Sequence, residues 1–99
     1  MIKLTSFQEK CGDELGKVLR SLGHEARKWE VVKGREETYV EVDLGQMKVW
    51  IYEDGACWQG YNRDRIFETV DYNSLDDLQR AFLKEVVAAL TQAAAERRQ

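Results

Sequence analysis

A change of period governs what this chain can fold into. Near both ends apolar residues recur at steps of three and four, but between Arg27 and Tyr61 they alternate with polar ones. Side chains on a helix return to one face every 3.6 residues, whereas those on a strand return every second residue. A long period-two stretch between two helical ones therefore predicts a sheet flanked in sequence by two helices.

The first helix is expected to begin near Phe7, because Ser6-Phe7-Gln8-Glu9 has the S-x-x-E form of a capping box. Phe7, Cys11, Leu15, Val18, Leu19 and Leu22 form its apolar stripe, with Lys10, Asp13, Lys17 and Arg20 on other sides. Gly23 then suits a left-handed C-terminal cap. The second helix starts after Ser74-Leu75-Asp76-Asp77, a hydroxyl cap with two carboxylates where the helix dipole favours them. Its stripe reads Leu75, Leu78, Phe82, Val86, Ala89, Leu90 and Ala93, and Arg97 and Arg98 complement the dipole at its end.

Turn signals at Lys33-Gly34, Gly45-Gln46 and Asp54-Gly55 divide the middle into four short runs rich in Val, Ile, Trp and Tyr. A two-residue turn at Asp54-Gly55, the pair best suited to positive φ, places Ile51 opposite Trp58 and Tyr52 opposite Cys57. The Gly45-Gln46 turn likewise places Val42 opposite Val49 and Tyr39 opposite Tyr52. Parity then collects Trp29, Val31, Val40, Val42, Leu44, Met47, Val49, Ile51 and Trp58 on a core face. The outer face receives Lys28, Glu30, Tyr39, Glu41, Asp43, Lys48, Trp50, Tyr52, Gln59 and Tyr61. A fifth strand over residues 65–70 is in balance with a fitted loop, since Ile66-Phe67 breaks the alternation.

These elements predict an α+β fold of residues 1–99 as a single domain. Both helices pack on one face of an antiparallel four- or five-stranded meander, in two layers with topology α-β-β-β-β(-β)-α. Hydrophobic residues at 43% and aromatics at 10% argue against a disordered chain. No start resembling a signal peptide and no membrane-length apolar run is found. Cys11 and Cys57 have neither CxxC spacing nor the setting of a disulfide framework, so a cytoplasmic location is expected.

The net charge of −3 is unevenly spread, at +3 over residues 1–35, −5 over 36–62 and −1 thereafter. An acidic sheet disfavours nucleic acid, whose phosphates require clustered Lys and Arg. Only convergence of Lys10, Lys17, Arg20 and Arg27 would offset this. The order helix, strands, helix resembles the double-stranded-RNA-binding domain in topology alone. That family has a lysine-rich phosphate clamp where this chain reads Ser74-Leu75-Asp76-Asp77, which repels a nucleic-acid backbone.

Catalytic and cofactor motifs are not evident. Gly55-Ala56-Cys57-Trp58-Gln59-Gly60 superficially resembles the surroundings of a cysteine nucleophile, but the only histidine, His24, falls at the end of the first helix. Glu41 and Asp43 share the outer face without further metal-ligand spacing, and Gly12, Gly16 and Gly23 form no phosphate loop. No cofactor or metal is expected, and the chain reads as non-enzymatic.

What remains is a surface. Tyr39, Trp50, Tyr52 and Tyr61, with Glu41 beside them, form an aromatic cluster on the sheet face away from the helices, and such residues favour protein interfaces. They also suit simple cross-strand pairing. Arg63 and Arg65 near a strand end have the geometry to grip a partner's carboxylates. The sequence thus predicts a small acidic protein-binding module, of inhibitor, immunity or adaptor type, acting on a protein partner or as a homodimer. The alternative is a small ligand-binding domain or enzyme with an open or dimer-formed pocket on the same face.

Overall fold

A computed structural model describes residues 3–22, 29–34, 37–43, 47–60 and 63–97. In chain order the elements are helix α1 (Ser6–Ser21), strands β1 (Trp29–Lys33), β2 (Thr38–Asp43), β3 (Met47–Ile51), β4 (Gly55–Gly60) and β5 (Arg63–Glu68), a 3-10 turn (Thr69–Asp71) and helix α2 (Leu75–Arg97). All neighbouring strands are antiparallel in the order β1-β2-β3-β4-β5. The fifth strand exists, displaced from the expected 65–70: it begins two residues earlier and gives way to the 3-10 turn at Thr69.

The start of α1 departs from expectation by one residue, and burial is the reason. Thr5, not Ser6, is the N-cap: its Oγ1 accepts from the Gln8 N–H (3.2 Å), while its own N–H donates to Gln8 Oε1 (2.9 Å). This box uses an uncharged amide, which can go inside; a Ser6 box would use the carboxylate of Glu9, which lies exposed. Gln8 is fully buried, and its Nε2 donates to Thr38 O (2.6 Å) and Ile51 O (3.3 Å). One side chain therefore caps a helix and supplies donors to the backbones of β2 and β3.

Behind this clamp, Phe7, Cys11, Leu15 and Leu19 face the core, with Val18 and Leu22 partly covered. From α2 come Leu78, Phe82, Val86 and Leu90, after an N-terminus where the Asp77 N–H donates to Ser74 Oγ (3.2 Å). Leu75 was expected in this stripe but is 37% exposed, since it opens the helix ahead of the first turn that meets the sheet. Phe82 meets Phe67 of β5 edge to face, with ring centroids 5.4 Å apart. The helices touch each other; α1 packs on β2 and β3, and α2 on β4 and β5.

From the sheet, Val40, Val42, Met47, Val49, Ile51 and Trp58 are buried as parity requires, joined by Ala56 and Phe67. Val31 departs from this pattern. It sits opposite Val40 on the helix-facing side yet is 36% exposed, because β1 is the edge strand and the main helix contacts fall on β2–β5. The Trp29 and Ala93 side chains, and Gly23, His24, Arg27, Lys28, Leu44, Gly45, Gln46 and Arg98, lie outside the described residues.

Register holds between β2 and β3, where Val42 faces Val49, and slips by two residues between β3 and β4. Ile51 faces Ala56, and Val49 rather than Ile51 faces Trp58. The Tyr52 N–H donates to Gly55 O (2.8 Å), so Glu53 and Asp54 form the turn. Gly55 belongs instead to β4, and a Cβ built there would stand 2.8 Å from the Phe67 carbonyl oxygen. The glycine is needed for the close approach of β5. A shift of two preserves side-chain parity, so every residue of β4 keeps its face.

Among the described residues no helix is long and apolar enough to cross a membrane. Two expected outcomes test these local arguments. Gln8→Leu leaves the buried Ile51 and half-buried Thr38 carbonyl oxygens without their donor and breaks the capping box, so urea unfolding should report a loss of about 3 kcal/mol. Gly55→Ala and Gly55→Asn should each cost about 1–3 kcal/mol, because any Cβ meets the β5 backbone. A positive-φ turn position would instead accept Asn readily.

Candidate functional site

The register arranges the outer face as rows crossing the sheet. One row is Glu30, Glu41, Trp50, Cys57 and Ile66, each facing the next across a strand pair. A second contains Val32 and Tyr39, continued by Tyr52 just beyond β3 and by Glu68 in β5. A third is Asp43, Lys48, Gln59 and Asp64.

Within these rows the aromatic cluster is organised by specific contacts. The Tyr39 and Tyr52 rings lie 5.3 Å apart at 44°. Trp50 Nε1 donates to Glu41 Oε1 (2.9 Å), which anchors the indole to the neighbouring strand. Lys48 Nζ stands 3.9 Å from Asp43 Oδ2. Tyr39, Glu41, Trp50 and Tyr52 are all half-buried, so they retain accessible surface on a face to which neither helix is docked.

Other expected site residues separate from this cluster. Tyr61 lies outside the described residues. Arg63 and Arg65 share the helix-facing side with Phe67, since Arg65 is paired with Trp58. Arg65 grips Glu85 of α2 with two nitrogens, Nε to Oε1 at 2.7 Å and Nη2 to Oε2 at 3.3 Å. The Arg63 Nη2 is 3.9 Å from the same Oε1, and its guanidinium lies 5.9 Å from the Trp58 ring centroid. The carboxylate these arginines meet is the chain's own.

Beside Tyr52 lies a feature the sequence reading missed. An open groove of about 510 Å³ runs between the β3–β4 hairpin and the 3-10 turn, with Tyr52, Cys57, Ile66 and Val70 among its apolar lining. Glu37, Asp54 and Glu68 also line it. Ile66 is 68% exposed and Val70 83% exposed. Once Phe67 is assigned to the core, parity alone turns Ile66 outward; its apolar character is what obscured the alternation.

The groove's Cys57 and Tyr52 are poorly suited to nucleophilic chemistry. Burial raises the Cys57 thiol pKa, outweighing the Tyr52 hydrogen bond that lowers it, and Asp64 adds to the rise. Tyr52 is raised chiefly by burial as well, then by Cys57, Tyr39 and Glu37. Both stay protonated at neutral pH, a hydrogen-bonded pair without thiolate character. Among the described residues no group of three or more His, Cys, Asp or Glu is placed to hold a metal ion. No family model, curated protein or solved structure matches this chain.

The two thiols give a pH test. Cys11 is fully enclosed, and burial pushes its pKa from 9.0 to about 12. A raised folded-state pKa means that this group's contribution to stability is complete below 9.0 and falls as pH climbs toward about 12, because only the unfolded chain releases the proton there. Urea midpoints should therefore drop across this alkaline window less steeply in Cys11→Ala than in the parent. In the folded protein a thiol reagent should modify Cys57 slowly and Cys11 only after unfolding.

Proposed function

We propose that this chain is a non-catalytic protein-binding module whose outer sheet face is the docking surface. The observation that carries the reading is the position of Tyr39, Trp50 and Tyr52: together, half-exposed, and on the side of the sheet opposite the helices. Tyr and Trp combine large apolar area with a polar group and few rotatable bonds, the properties of residues that dominate interface energies. A rigid sheet carries them with little ordering cost on association. The partner is a protein or a second copy of the chain; nucleic acid is disfavoured by the carboxylates on this face. Two unpaired cysteines are compatible with a cytoplasmic setting.

The small-ligand reading draws on the groove beside Tyr52. Glu41 and Asp43, the acids that reading relies on, are absent from its lining, and burial keeps the groove's thiol protonated. An interface uses the cluster and the groove together.

The test is affinity capture from the source organism's lysate, comparing the parent with a folded Trp50→Ser/Tyr52→Ser variant, alongside sedimentation of each alone. A protein retained by the parent and lost from the variant, or a dimer that the variant dissociates, is the expected result. Equal capture by both, with both monomeric, would remove the sheet face from consideration.

A further inference from the structure

Charge is sorted across the sheet, and the sorting specifies a partner. Every strand carboxylate, namely Glu30, Glu41, Asp43, Asp64 and Glu68, points to the outer face. Of the strand cations, Lys33, Arg63 and Arg65 fall on the helix side and Lys48 alone falls outward, beside Asp43. Arg63 and Arg65 are further held by Glu85. Among the described strand residues the face thus carries five carboxylates and one cation.

The groove repeats this pattern at smaller scale. Its floor offers Tyr52, Ile66 and Val70 as apolar and aromatic surface, its acidic residues are Glu37, Asp54 and Glu68, and no Lys or Arg among the described residues lines it. A long cationic side chain matches both halves of that description. Its methylene stem packs on Ile66 and Val70, which are otherwise left to water, while its head reaches a carboxylate or the face of Tyr52. Guanidinium fits better than ammonium, since it is less strongly hydrated and meets carboxylates with two donors.

We propose that the outer face, and the groove at its β4–β5 end in particular, receives an arginine-bearing cationic segment of a partner protein. This rests on the docking-face reading above and adds the partner's chemistry to it. A neutral apolar segment would leave Glu37, Asp54 and Glu68 facing it without a counter-charge, and an anionic one would be repelled outright.

The experiment is selection from a displayed random-peptide library against the immobilised intact chain, followed by affinity measurement of the enriched peptides. Expected are sequences carrying Arg beside an apolar residue. Their binding should fall about tenfold in Glu37→Gln/Glu68→Gln, and by a similar factor in Ile66→Ser, as lost charge-assisted and apolar contacts in the groove predict. The control variant Glu9→Gln/Asp13→Asn removes as much negative charge from exposed α1 positions and should leave affinity unchanged. Thermal unfolding of each variant verifies the fold. Enriched peptides without cations, or cationic ones weakened equally by the α1 control, would overturn the proposal. If such peptides are still lost in Trp50→Ser/Tyr52→Ser, the docking face stands and only the cationic partner falls. If no enriched peptide depends on the sheet-face or groove variants, both fall.

Discussion

The buried amide of Gln8 is the contact on which the rest of the arrangement depends. A helix lying on a sheet has two problems at its start, unpaired N–H groups and an undefined position over the strands. Gln8 answers both, because its Oε1 accepts from Thr5 while its Nε2 reaches Thr38 O and Ile51 O at adjacent strand ends. Few side chains can do this. Glutamate offers acceptors without donors, and an aliphatic residue offers neither. With that end pinned, the Phe7, Cys11 and Leu15 stripe is committed to β2 and β3, leaving α2 to cover β4 and β5. The opposite face is left to its own side chains.

Much of this was legible in the residues because period and parity are robust to error. The β3–β4 turn was placed one residue too far along, at Asp54-Gly55 instead of Glu53-Asp54, which slips the register by two, yet Trp58 still fell on the core face and Cys57 on the outer one. A two-residue slip moves a strand lengthwise without turning it over. The error came from reading Gly55 as a residue needing positive φ, when it is small because the Phe67 carbonyl passes close by. Local turn chemistry cannot reveal a constraint imposed by a strand twelve residues later in the chain. The Thr5 cap was missed for a related reason: choosing between Ser6 with Glu9 and Thr5 with Gln8 requires knowing which partner goes inside.

The candidate site divides along the same line. Tyr39 opposite Tyr52, and Glu41 beside Trp50, followed from alternation and the β2–β3 register, which holds. Arg63 and Arg65 did not, because their side of the sheet depends on Phe67 being buried against Phe82, a tertiary fact. The groove was likewise hidden, since Glu37, Tyr52, Ile66 and Val70 belong to separate segments joined only by the fold.

An outer face built this way carries an internal tension that bears on its use. Glu30 stands directly opposite Glu41, a like-charge pair that costs stability across antiparallel strands. Hydrogen bonding from Trp50 anchors Glu41 without neutralising it, so the repulsion with Glu30 persists in the isolated chain. Aromatic pairing of Tyr39 with Tyr52 recovers part of the apolar surface, but Ile66 and Val70 remain in water. A sheet face optimised only for its own stability would alternate opposite charges and confine its branched aliphatics to the core. Here five strand carboxylates share the face with Lys48 and the aliphatics line a groove, so a cationic ligand that covered the face would relieve both costs.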